Sequence, residues 1–408
     1  MKAIAESHGV YIPRILAACL AIWALLDIGL RFMPLDRLHI LPEHIATRHP
    51  AKYAPFIPNL TLRYDPWVGE TAMTGNVKPI ETRPPIQFST DSLGFRLTPG
   101  VPPDGKVDAL LFAGASFAYG GGLSDDETFP AVFTRQTNLR MYNGGHFYWD
   151  PQGLDALDWL LANLGGQRPA IVLLEWEQFD HDRAQLDGLP WRVDAQGAAL
   201  LGQNRYREFR TDVQYAKRYL TSLWTVSPIE IGSIRFFKAI ANDRVLPNPY
   251  KESIAARSLG DGRRLLMLKD EVNRVLHAPS ENQTRQHADY FAYFRKRLAE
   301  RGLDMYVVLV PNKYTLYGSV IDNIGIEPGK AYLDRLEIEL LRRNVKTVNG
   351  LTALRPGVAG EIASGDLSLY REDHHWNPKG AARLASVLAS RFQADGKLTR
   401  TVEAHAIQ

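Results

Sequence analysis

A serine hydroxyl becomes a strong nucleophile when an imidazole can take its proton and a carboxylate holds that imidazole in one tautomer. Two segments of this 408-residue chain carry those residue types. The first is Gly114-Ala115-Ser116-Phe117, directly after an apolar run over 107–113. Gly114 permits a tight turn before the serine, and Gly120, Gly121 and Gly122 just after it allow close backbone approach. The second is Asp373-His374-His375-Trp376-Asn377-Pro378-Lys379-Gly380. Asn377 is a good N-cap and Pro378 suits a first helical turn, so the histidines arrive just before a helix. Asp373 can orient His375 from within one loop. Pairing of His374 with Glu372 is the alternative, and a metal held by Asp373 and both histidines is a third reading. No metal or cofactor is expected, because the nearest other His/carboxylate group, Asp180-His181-Asp182, does not complete a ligand set. A phosphate loop is excluded, since no Gly-Lys-Ser/Thr follows the glycines, and their spacing does not fit the dinucleotide fingerprint.

The elements that must position these residues alternate between short apolar runs and helical periodicity. Runs at 107–113, 140–142, 170–174, 305–310 and 345–348 predict strands. Helices are predicted over 130–137, 154–164, 286–301 with Gly302 as cap, 331–343, and from Pro378 onward. Buried strands alternating with helices imply a parallel sheet covered on both faces. Residues 183–285 break the rhythm and read as a largely helical insertion, with helices near 213–224 and 265–275. Residues 42–103 are Pro-rich and extended.

A serine after the first strand and Asp-x-His before the last helix resembles the SGNH (GDSL-like) hydrolase superfamily. Gly114-Ala115-Ser116-Phe117 with 123–130 is similar to its first block, and 373–380 to its last. Tyr64-Asp65-Pro66 and 91–96 are similar to the lead-in of anchored bacterial members. Residues 310–317 resemble the SGNH-like domain of alginate and polysaccharide O-acetyltransferase proteins. The resemblance implies a flavodoxin-like α/β sheet and a triad of Ser116, His375 and Asp373. It also implies an oxyanion hole from the Ser116 N–H, a backbone N–H at Gly144 or Gly145, and Gln178. Ala115 stands where the family usually has Asp, and Gln178 where it usually has Asn.

A formal net charge of +3 without a run of basic residues argues against nucleic-acid binding. One cysteine, Cys19, excludes an intramolecular disulfide. Residues 15–30 form the strongly apolar segment, interrupted by Asp27, and with their flanks approach the about 20 residues that span a bilayer. A cleaved signal peptide is the rival reading, but no small-x-small site follows, so an uncleaved single-pass helix is expected. The chain thus divides into an anchor (1–36), a lead-in (37–106), an SGNH-like domain (107–395, with the insertion at about 183–285) and a tail (396–408). The expected activity is that of a serine acyl-ester enzyme on the periplasmic side of the inner membrane. It would be an O-acetyltransferase or O-acetylesterase acting on a polysaccharide, for which the resemblance implies a multi-spanning acyltransferase partner. A lipase or esterase on lipid or small esters, and a non-catalytic polysaccharide-binding protein, are the alternatives.

Overall fold

The computed structural model describes residues 2–31, 53–64, 69–74, 80–147, 151–177, 192–193, 199–200, 254–259, 262–324 and 329–398. Gln178, Asp180-His181-Asp182 and the helix expected near 213–224 lie outside them.

In chain order, α1 is Lys2–Arg31, β1 Thr61–Tyr64, α2 Glu70–Thr74 and β2 Ile86–Ser89. Then come β3 Ala109–Ala113, α3 Ala115–Tyr119, α4 Phe129–Thr137, β4 Met141–Phe147, α5 Pro151–Asn163 and β5 Ala170–Trp176. A minimal pair, β6 Arg192–Val193 and β7 Ala199–Leu200, precedes β8 Ile254–Ser258, β9 Arg264–Leu268, α6 Lys269–Leu276 and α7 Glu281–Ala299. The remainder is β10 Met305–Val310, α8 Lys313–Ile321, α9 Tyr332–Arg342, β11 Lys346–Asn349, α10 Gly350–Leu354, α11 Val358–Ser364 and α12 Pro378–Ala394.

The five apolar runs form one parallel sheet in the order β11-β10-β5-β3-β4. Every residue of β3, β5 and β10 is buried, which is why these strands lack polar alternation. Counted by first appearance in this sheet, the order is 2-1-3-4-5, the flavodoxin-like arrangement, and it fits an SGNH-like fold. The order reverses between β3 and β5, and ligands bind in such folds outside the carboxyl ends of the strands at that reversal.

Two expectations need correction. Leu265–Leu268, predicted as part of a helix, is the inner half of the antiparallel hairpin β8–β9, with α6 starting only at Lys269. Leu265, Leu266 and Met267 are buried, and a short apolar run cannot distinguish strand from helix by periodicity. The segment 254–285 is therefore hairpin plus helices rather than helical insertion. At the N-terminus the expected spanning segment is helical, with exposed Ile15, Leu16, Leu20, Ile22, Leu25 and Leu26. Among the described residues, however, no helix is long and apolar enough to cross a membrane.

The lead-in is an antiparallel hairpin, β1–β2, fastened to the loop after α3. Buried Arg96 donates through Nε to Asp125 Oδ1 at 3.0 Å and through Nη2 to the carbonyls of Leu123 and Gln87. Asp91 accepts from the N–H groups of Leu93 and Phe95 and from the Tyr142 hydroxyl at 2.6 Å. The Arg96 bonds hold Leu123 and Asp125 in the segment that passes beside the site.

Candidate active site

Gly114 ends β3 with φ 136°. A Cβ there would lie 2.6 Å from Leu174 Cβ, so glycine is what lets the turn close against β5. Ser116 follows in the first turn of α3 and is half-buried at the sheet's reversal point. In that first turn its N–H has no intrahelical acceptor. Gly121 N–H donates to the Ser116 carbonyl at 2.8 Å. A Cβ on Gly121 would stand 3.2 Å from His375 Nε2 and 3.4 Å from the Ser116 oxygen. Glycine at 121 thus lets its backbone run close to both the Nε2 edge of His375 and the Ser116 carbonyl, while the Phe117 ring packs 4.8 Å from the imidazole.

The Asp-x-His loop is pinned at both ends. Leu369 and Trp376 bridge in antiparallel fashion, Tyr370 N–H donates to the His375 carbonyl, and the Asn377 side chain accepts from Gly380 N–H to start α12. A Cβ at Gly380 would collide with the Ser368 carbonyl. Within the loop Asp373 Oδ1 accepts from the His375 backbone N–H at 2.9 Å and lies 2.6 Å from its Nδ1. Oδ2 accepts from Glu70 N–H at 2.7 Å. Burial pushes the Asp373 carboxyl up, but His375, His374 and Arg83 outweigh it and hold the pKa well below the usual carboxylate value. An ionised Asp373 can only accept, so Nδ1 carries the hydrogen and Nε2 keeps its lone pair.

His374 is built differently. Its ring stacks on Trp176, with centroids 4.9 Å apart and planes 15° from parallel, and its Nε2 is 3.8 Å from Glu70 Oε2. Burial and the neighbouring His375 hold its pKa well below the usual histidine value, so it is neutral. Glu372, the alternative partner for His374, instead accepts from Gly69 and Ile80 N–H and lies 3.7 Å from Arg83 Nε. One atom each of Glu70, His374 and His375 fall within 4.8 Å of one another, a set that differs from the metal reading of Asp373 with both histidines.

Of the expected oxyanion groups, Gly144 and Gly145 lie in β4, next to β3. Their Cβ positions are filled, at Gly144 by Leu160 and Leu110 and at Gly145 by Ala118, so both permit close packing. Gly145 N–H donates to Asn143 Oδ1 at 3.1 Å. Asn143 itself is buried, and its Nδ2 has no hydrogen-bond partner among the described residues.

Several groups around the site carry no sequence signal. Glu70 and Arg83 come from the lead-in, and the Arg83 guanidinium lies 3.7 Å from the centre of the Tyr370 ring. Lys313 is wholly buried, and its Nζ donates to the carbonyls of Leu266 and Arg371. Its N–H donates to Glu271 Oε1, also wholly buried. Lys313 falls inside the 310–317 stretch singled out above, so its position was marked although its burial was not.

Residues 248–408 match the family model of the SGNH hydrolase-like domain of the acetyltransferase AlgX. The match contains Asp373, His374 and His375 and starts ahead of the hairpin β8–β9, within the segment expected to be an insertion. No curated protein matches the chain.

Proposed function

We propose, from the SGNH hydrolase-like character of residues 248–408, that the protein is a serine acyl-ester enzyme with Ser116 as nucleophile, His375 as general base and Asp373 as its orienting carboxylate. The observation that carries this reading is the 2.6 Å contact of Asp373 with His375 Nδ1, which leaves Nε2 turned to Gly121 beside Ser116. His375 Nε2 takes the Ser116 hydroxyl proton as Oγ attacks an ester carbonyl. The same imidazole protonates the leaving alcohol, and water or a sugar hydroxyl then resolves the acyl-enzyme. The Ser116 N–H and Asn143 Nδ2 are the candidate oxyanion donors, with Gly144, Gly145 and Gln178 as the family-based alternatives. Loss of one such donor costs about 10²–10³ in turnover.

O-acetyl transfer to, or removal from, a polysaccharide is the reaction the family match favours. The exposed apolar side chains of α1 favour contact with a membrane. Placement of the domain on the periplasmic side of the inner membrane, with a multi-spanning acyltransferase supplying the acyl group, is proposed from the family reading. A fluorophosphonate probe tests the nucleophile. The protein should be labelled at Ser116, labelling should vanish in Ser116→Ala, and His375→Ala should slow it at least about 100-fold. Labelling that survives Ser116→Ala overturns the assignment.

A further inference from the structure

We infer that Glu70 and His374 form a hydroxyl-binding subsite beside His375, which holds one hydroxyl of a vicinal diol so that its neighbour reaches the acyl-enzyme. This rests on the serine acyl-ester reading above. Glu70 Oε2 and His374 Nε2 are 3.8 Å apart, beyond hydrogen-bond range. That spacing leaves room for one oxygen about 2.8 Å from each. Such an oxygen would donate to the carboxylate and accept from the imidazole, which is what a sugar hydroxyl can do and an ester alkyl group cannot.

His374 is fixed rather than adaptable. Its side chain is 10% exposed, its ring is clamped flat on Trp176, and its Nδ1 has no hydrogen-bond partner among the described residues. Because the imidazole is neutral, its approach to Glu70 is not an ion pair. Glu70 is on the open side, with 39% of its side chain exposed, so a ligand can reach it. Its backbone N–H is tied to Asp373 Oδ2, which couples the subsite to the loop that orients the general base. One nitrogen of His375 shares the 4.8 Å neighbourhood of Glu70 and His374, so the subsite lies next to the residue proposed as the base.

The transfer step balances. The reacting hydroxyl loses its proton to His375 Nε2 and its oxygen bonds the acyl carbon. The bond from that carbon to Ser116 Oγ breaks, and His375 returns the proton to Oγ. An activated acyl ester supplies the acyl group in the preceding step.

The test uses full-length protein, p-nitrophenyl acetate as donor, and either cellotetraose or methanol as acceptor. Glu70→Gln keeps the backbone bond to Asp373, and His374→Phe keeps the stack on Trp176. Each should lower the ratio of acetyl-cellotetraose to free acetate at least about tenfold, while the ratio of methyl acetate to acetate moves less than about twofold. Equal loss with both acceptors, or no change, overturns the subsite. Wild-type protein that labels at Ser116 yet forms no acetyl-cellotetraose overturns the subsite alone; failure to label overturns the nucleophile itself. Inhibition by micromolar Zn²⁺ that Glu70→Gln relieves makes the pocket a cation site and also overturns the proposal.

Discussion

At Asp373 burial opposes ionisation, and the interaction with His375, its Nδ1 hydrogen bond included, together with the Arg83 guanidinium outweighs it. Because its folded pKa lies below the unfolded value, the stability it contributes is present at neutral pH. That contribution is lost only as the pH falls below the ordinary carboxylate range. Replacing it with asparagine keeps the shape but turns one of its two accepting oxygens into an NH2 donor, so the Nδ1–H tautomer is no longer enforced. Asp373→Asn should therefore lower the rate of p-nitrophenyl acetate hydrolysis by about 10³–10⁴-fold with little change in fold. A variant within tenfold of wild type would remove Asp373 from the mechanism. Ser116, Asp373 and His375 were legible as candidates because each sits in a short motif whose glycines and helix cap are local. Glu70 was not legible, since its contact with Asp373 joins positions 303 residues apart and nothing in its neighbourhood marks it.

Among the elements, α8 and the hairpin β8–β9 hold the Asp-x-His loop from beneath through Lys313. Its Nζ reaches the carbonyls of Leu266 in β9 and of Arg371, while its N–H meets Glu271 in α6. Burial lowers Lys313 to about 8, and burial raises Glu271 to about 7. The signs follow from linkage. Glu271's contribution is present below its ordinary 4.5 and lost as pH rises through about 7. Lys313's is present above its ordinary 10.5 and lost as pH falls through about 8. Stability should thus decline from pH 5 to pH 7.5, and Glu271→Gln should flatten that slope in urea midpoints. Lys313→Met removes the positive charge near Glu271 and the donor to the Leu266 and Arg371 carbonyls and should lower the urea midpoint, whereas adding Glu271→Gln, which keeps an acceptor for the Lys313 N–H, should recover part of that loss. An equal loss in the double variant would mean the pair is not coupled. The helices α4, α5, α7, α9 and α12 were readable from their apolar faces and caps. The hairpin was not, because its partner strand lies outside the apolar run that suggested a helix.

Across the whole molecule, alternating strands and helices made the parallel sheet legible but not its order. Which strand follows which across the reversal between β3 and β5 depends on crossovers that no local pattern encodes. The N-terminal helix presents the converse case, in which the local pattern is clear and the described side chains between residues 15 and 26 stay exposed. Lys2–Arg31 is about 45 Å long against a hydrocarbon core of about 30 Å, but it is not apolar enough along that length to cross one. Its uncharged stretch from Ile15 to Leu26 covers only about 18 Å, and Asp27 follows directly. An aspartate deep in the bilayer costs about 2.5–3.5 kcal/mol, and less toward the interface. If α1 anchors the protein, Asp27 sets how firmly. Full-length protein should then stay with membranes through a high-salt wash, and Asp27→Leu should strengthen that retention. Residues 37–408 should be released into the soluble fraction with Ser116 still open to the fluorophosphonate probe. Full-length protein that washes off with salt would leave only a surface helix, and the acyl donor would then have to reach Ser116 from solution rather than from a partner in the same membrane.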